Sequence, residues 1–221
     1  MIDGNSTLEE ITVKTKAKPE ALIELVKKLD SIGLIWGPTA KKLEEEAIAK
    51  LKERGSFPIR SSGALGDSHG VCSERIEKWF SEIDDPEFQQ EIKAIVAPHL
   101  DYDRGWPNYA SAYYPWKNND KPDRVVILGT NHFGAGDGVV LSTIGFSSPL
   151  GTCPVDEPVI DKLIKTFGDA ITTDLIDHSA EHSIELQLPW LQYCFGDVPI
   201  VAALIPSPLI AMIEDDGKRT T

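Results

Sequence analysis

Apolar residues recur at helical spacing through the first third of the chain. Thr7 to Ile11 opens a short amphipathic segment, with Ser6 or Thr7 as its cap and Glu9 or Glu10 in its first turn. Pro19 opens a longer helix whose apolar positions are Leu22, Ile23, Leu25, Val26 and Leu29, and Gly33 is its natural stop. Leu34, Ile35 and Trp36 read as a short strand. Residues 39–54 form a charged helix with Leu43, Ala47, Ile48 and Leu51 on one face. The Gly- and Ser-rich stretch 55–70 reads as a loop, and residues 72–83 return to helical spacing at Ile76, Trp79, Phe80 and Ile83.

Beyond residue 90 the pattern changes to short β-branched runs. Residues 92–97, 123–128, 139–143 and 198–205 read as buried strands. A helix-like stretch of small and aromatic residues, 109–114, separates the first two, and an amphipathic helix is predicted over 156–167. Residues 149–156 read as a turn and a short extended piece. Strands alternating with helices argue for an α/β fold with a mixed, mostly parallel sheet flanked by helices.

Composition divides the chain near the same place. The net charge is −13, from 22 basic and 35 acidic side chains. Residues 1–60 carry 11 basic and 10 acidic groups, so +1, and residues 61–221 carry 11 and 25, so −14. The expected organisation is a small helical module with its linker helix over 1–54 and an α/β domain over 55–221. So acidic a body repels phosphate backbones, which argues against nucleic-acid binding. No apolar run approaches the roughly 18 residues needed to span a bilayer, so no membrane association is expected. Three cysteines, far apart and without CxxC spacing, together with a start lacking a signal peptide, point to a reducing, cytoplasmic setting.

Four of the five histidines fall in three short motifs. His99 follows the predicted strand 92–97, and His132 follows the strand at 123–128. In open α/β sheets the ligand crevice lies beyond the carboxyl ends of the strands, so both belong at that edge. His178, Glu181, His182 and Glu185 share one face if residues 178–185 are helical. Such a face could hold a metal, or a catalytic histidine oriented by a carboxylate. The plainer alternative is two capped loop histidines and a solvated helix face.

The segments PHLDYDRGW, LGTNHFG, SPLGTCPVD and EHSIELQLPWL resemble the Memo family, whose usual forms are PHAGY-x-YSG, LGPSHH, TPLG-x-x-x-VD and EHSIE-x-QLPFL. The resemblance covers about residues 55–206. Bacterial members are named protein B of the AmmeMemoRadiSam system. The family shares its fold with class III extradiol dioxygenases, which use non-haem Fe(II).

The resemblance implies His99 and His132 as metal ligands and His182 as a third histidine of the pocket, either supporting the ligands from behind or acting as an acid/base group, and His178 matches a histidine of bacterial members. Neutral imidazoles suit Fe(II), and also Cu or Zn. Glu181 or Glu185 is expected to orient His182. Asp101 replaces the family's glycine, and Asp101 or Asp103 is a candidate oxygen ligand by its closeness to His99, an idea the family does not supply. His132 keeps the first position of the family's histidine pair, while Phe133 takes the second. The family continues into a segment resembling DFCHWG, whose cysteine is a ligand candidate. The chain reaches Thr221 without it and is expected to be C-terminally truncated, with Cys153 as the one substitute to name.

The front piece is similar to part of a winged helix and to small peptide-chaperone modules of the PqqD-like type. It reads either as a packing appendage or as a module that binds a peptide or partner. Three functional readings follow. One is an oxidoreductase of the extradiol-dioxygenase type acting on a small molecule or peptide. Another is a non-catalytic metal- or peptide-binding adaptor. The last is a component working with a radical SAM partner.

Overall fold

The computed structural model describes residues 5–85, 87, 91–132 and 138–206. The chain divides into two compact units, Met1–Lys50 and Leu51–Thr221. The first holds α1 (Leu8–Thr15), α2 (Pro19–Ser31) and most of α3 (Pro38–Arg54). Thr7 caps α1: its hydroxyl accepts from Glu10 N, and the Glu10 carboxylate accepts from Thr7 N, a reciprocal capping box. Gly33 ends α2 as expected. At φ +76° it lets Leu34 N reach Leu29 O while its own N–H bonds Asp30 O, the paired closure of a Schellman motif. The chain then turns at once into α3, so Leu34, Ile35 and Trp36 form no strand, and Trp36 is 81% exposed. An apolar triplet is too short for its spacing to separate strand from turn.

The second unit begins with β1 (Ser56–Phe57), which lies inside the stretch expected to be loop. It continues through α4 (His69–Ser81), α5 (Tyr102–Tyr113), β2 (Val125–Asn131), β3 (Val139–Leu141), β4 (Gly145–Ser148) and β5 (Gly151–Cys153). It is completed by α6 (Glu157–Phe167), β6 (Ile171–Thr172), α7 (Leu175–Ala180), α8 (Leu188–Phe195) and β7 (Ile200–Pro206). The strands form two sheets, ordered β2-β7-β3-β6 and β1-β4-β5. The class is a mixed α/β fold. In the larger sheet β2 runs parallel to β7 and β6 parallel to β3, but β3 and β7 are antiparallel.

β7 is an inner strand, flanked by β2 and β3, and its first five residues are buried, which is why it reads as a continuous apolar run. Leu141, Val201 and Ala203 pack with Ile160 of α6. A second core gathers on Trp190 of α8, which stacks on Trp79 and Tyr109 at 5.7 and 5.5 Å and meets the edge of Phe80 at 5.5 Å. Aromatic packing of this kind adds about 0.5–1.5 kcal/mol per pair beyond area burial.

Two sequence expectations fail here. Residues 92–97 form no strand; among the described residues β2 pairs with β7 alone, and Val96 is 97% exposed. A short apolar run does not by itself reveal whether a ladder exists for it to join. Residues 178–185 are not one helix either. Glu181, at φ −85° and ψ 158°, ends α7 in extended geometry, and the chain turns again only from Ser183 into the short turn Glu185–Gln187. The helix-face grouping of His178, Glu181, His182 and Glu185 is therefore wrong. Among the described residues, no helix is long and apolar enough to cross a membrane.

Candidate functional site

His132 follows directly on Asn131, the last residue of β2, and so sits beyond the carboxyl end of a strand. His99 lies in irregular chain just before α5, and His182 in the extended link between α7 and α8. Despite these separate origins the three rings converge. Ring centroids are 4.6 Å apart for His99 and His182, 5.0 Å for His99 and His132, and 6.1 Å for His132 and His182. Nε2 of His99 is 2.9 Å from Nε2 of His182. Two neutral imidazoles at that distance must share one proton between facing nitrogens, one donating and one accepting.

Glu181 is 5% exposed and devotes its carboxylate to His132. Its oxygens accept from the ring Nδ1 at 3.0 and 3.1 Å, and Oε1 also accepts from the backbone N–H of His132 at 2.6 Å. A carboxylate only accepts, so Nδ1 carries the proton and the neutral ring keeps its lone pair on Nε2. Glu181 thus orients His132, not His182 as expected. It reaches only the backbone N–H of His182, at 3.4 Å. Burial, followed by the neighbouring His182 and His132 rings, holds the pKa of His99 below the usual imidazole value, with Glu181 pulling the other way.

The remaining expected residues are used elsewhere. Oε1 of Glu185 accepts from Arg60 N at 2.7 Å, Ser62 N at 2.9 Å and Ser62 Oγ at 2.7 Å. It pins the 60–62 turn and orients no histidine. His178 is buried against Phe57 and Phe146, with its Nε2 on the carbonyl of Val140 at 3.0 Å. Asp101 caps α5 through Arg104 N at 3.1 Å and pairs with the Arg104 guanidinium, whose hydrogen bond holds the Asp101 carboxyl below its usual range. Asp103 pairs with Arg75. Both carboxylates of the oxygen-ligand idea thus pair with arginines. Cys153 is buried beside Val198, Asp197 and Lys121, and burial pushes its thiol up to about 11. Among the described residues, no three His, Cys, Asp or Glu side chains are already grouped to hold a metal ion. Phe133 lies outside the described residues.

Several positioning groups escape sequence reasoning. Ser183 Oγ accepts from Thr130 N at 3.0 Å and donates to Thr130 O at 3.1 Å, fastening the residue after His182 to β2. Gly129 makes room for that contact, because a Cβ there would stand 2.5 Å from Ser183 Oγ and 2.7 Å from Ile184 Cγ1. Asn131 donates to Asp177 at 3.0 Å, tying the end of β2 to α7. Residue type does not mark any of these; only their places beside the histidine motifs could have drawn attention to them.

A family model described as Memo-like protein matches residues 67–215. The chain is 38% identical over 118 residues to a MEMO1 family protein of Methanopyrus kandleri, covering 51% of this chain and 41% of that protein. It is 41% identical over 122 residues to a MEMO1 family protein of Saccharolobus islandicus, covering 53% and 42%. A MEMO1 family protein of Pyrobaculum arsenaticum is 31% identical over 134 residues, covering 60% and 47%. The chain spans less than half the length of these curated relatives.

Proposed function

The chain belongs to the Memo-like family, and on that premise we propose that its histidine cluster is the metal pocket of a non-haem iron-dependent oxidoreductase, with a fold of the class III extradiol dioxygenase type. The observation that carries this reading is the convergence of His99, His132 and His182 beside a buried carboxylate that fixes one ring. The donor set suits the metal. Imidazole nitrogens bind Fe(II), Cu and Zn, and a histidine whose Nδ1–H is held by a carboxylate is the usual form of a metal-ligating histidine. His99 and His132 would hold the ion, which supplies Lewis-acid and redox chemistry when bound.

The chain's own residues do the rest. Glu181 keeps His132 in the tautomer with its lone pair on Nε2. His182, whose Nε2 lies 2.9 Å from that of His99, takes a proton from a substrate atom at the cluster or returns it. The substrate on this reading is a small molecule or a peptide, and a radical SAM enzyme is the proposed partner. A second reading, a non-catalytic metal- or peptide-binding adaptor, uses the same cluster.

Anaerobic loading with Fe(II) followed by elemental analysis tests the pocket. The wild-type chain is expected to retain iron in stoichiometric amount, and the double variant His99→Ala/His132→Ala to retain none. Equal iron in the two would remove the metal reading. Oxygen uptake with a panel of catechols then separates an oxidoreductase from an adaptor that holds metal without turnover.

A further inference from the structure

We propose that Gln187 is a positioning residue whose side-chain amide sets the approach of His99 to His182; toward the metal, the proposal rests on the pocket reading above. Gln187 ends the short turn Glu185–Gln187, and its Nε2 donates to Pro98 O at 3.1 Å and to Ser183 O at 3.4 Å. Pro98 immediately precedes His99, and Ser183 immediately follows His182. One amide group therefore bridges the two backbone segments that deliver the facing rings. Both acceptors are carbonyls, which cannot donate, so the NH2 must face them and Oε1 must face the other way. Oε1 there accepts from the hydroxyl of Tyr113 at 3.1 Å. Tyr113 is itself fixed, 4% exposed and packed on Trp116 and Trp190, so the amide has a rigid anchor behind it. Tyr102 adds a parallel tie, its hydroxyl donating to Leu186 O at 3.0 Å. The segments 98–102 and 183–187 are thus fastened on either side of His99, and the amide is the fastening that reaches both rings' backbones.

Two variants test this, with a third as control. Gln187→Glu puts an acceptor against two carbonyls, and Gln187→Leu removes every polar contact of the side chain. Gln192→Leu removes bonds to Ser148 and Asp197, neither of which belongs to the cluster. The first readout needs no metal: the nuclear Overhauser contact between ring protons of His99 and His182, which the 2.9 Å approach places within range. The second is binding of Co(II) alone, followed by its visible spectrum. In both Gln187 variants the ring contact is lost while far-UV circular dichroism is unchanged, and Co(II) affinity falls about 10–100-fold, as for loss of an outer partner of a metal site. Gln192→Leu keeps the ring contact and the affinity. The proposal is overturned if either folded Gln187 variant keeps the contact, if the control loses it equally, or if neither Gln187 variant folds. Wild-type protein that shows the ring contact but binds no Co(II) ends the metal reading and leaves the role of Gln187 to the first readout.

Discussion

His178 shows how a residue's surroundings decide its chemistry. The Val140 carbonyl can only accept, so Nε2 of His178 carries the proton, and the buried Nδ1 has no hydrogen-bond partner among the described residues. Burial lowers its pKa from 6.5 to about 4, the Val140 hydrogen bond opposing the shift. Between those two values the unfolded chain binds the proton and the folded chain does not. Stability is therefore full above pH 6.5 and declines as pH falls toward 4, by on the order of 3 kcal/mol for a shift of this size. In His178→Gln, which cannot titrate, urea midpoints measured from pH 7 to pH 4 should fall less steeply than in the wild-type chain. The motif drew His178 and Glu185 into the site because they stand beside His182 in sequence. Backbone geometry separates them, since a side chain one turn away on a broken helix faces another part of the core.

At the level of elements, the site depends on how the link from α7 to α8 lies across the end of β2. The link is extended at Glu181, fastened at Ser183 and turned at Glu185–Gln187, and this places His182 beside a histidine that directly follows the strand. The glycine in LGTNH is part of this arrangement. Gly129→Ala drives a Cβ into Ser183 and Ile184, and overpacking of that kind costs about 1–3 kcal/mol. The variant should show a lower urea midpoint and, if the cluster is the metal pocket proposed above, also retain less iron, although position 129 touches no histidine. Normal iron retention in a destabilised Gly129→Ala would separate strand packing from the site. The strand itself was plain from its β-branched run. The fastening was not, because a serine hydroxyl meets a backbone edge only after both segments have been brought together.

For the whole molecule, burial is concentrated in the second unit. Among the described residues the front unit has one buried side chain, Ala40, while every other buried residue lies at Ser56 or beyond, including both cores and Glu181. A chain begun at Pro38, which keeps α3 whole, should therefore unfold cooperatively. It should also keep the near-ultraviolet circular dichroism of the Trp79 and Trp190 cluster; loss of that signal would show that the body needs the front helices. The sequence by itself determined the α/β class, helices α4 and α6 and strands β2, β3 and β7 of the body, and the Thr7 cap and Gly33 stop of the front unit. These follow from periodicity and local chemistry, which need only neighbours along the chain. Only the tertiary structure decided the antiparallel pairing of β3 with β7, the failure of 92–97 to form a strand, and the partners of Glu181, Glu185 and Gln187. Each of those outcomes turns on contacts between residues dozens of positions apart, and a carboxylate or an amide takes whichever donors or acceptors the fold brings within about 3 Å.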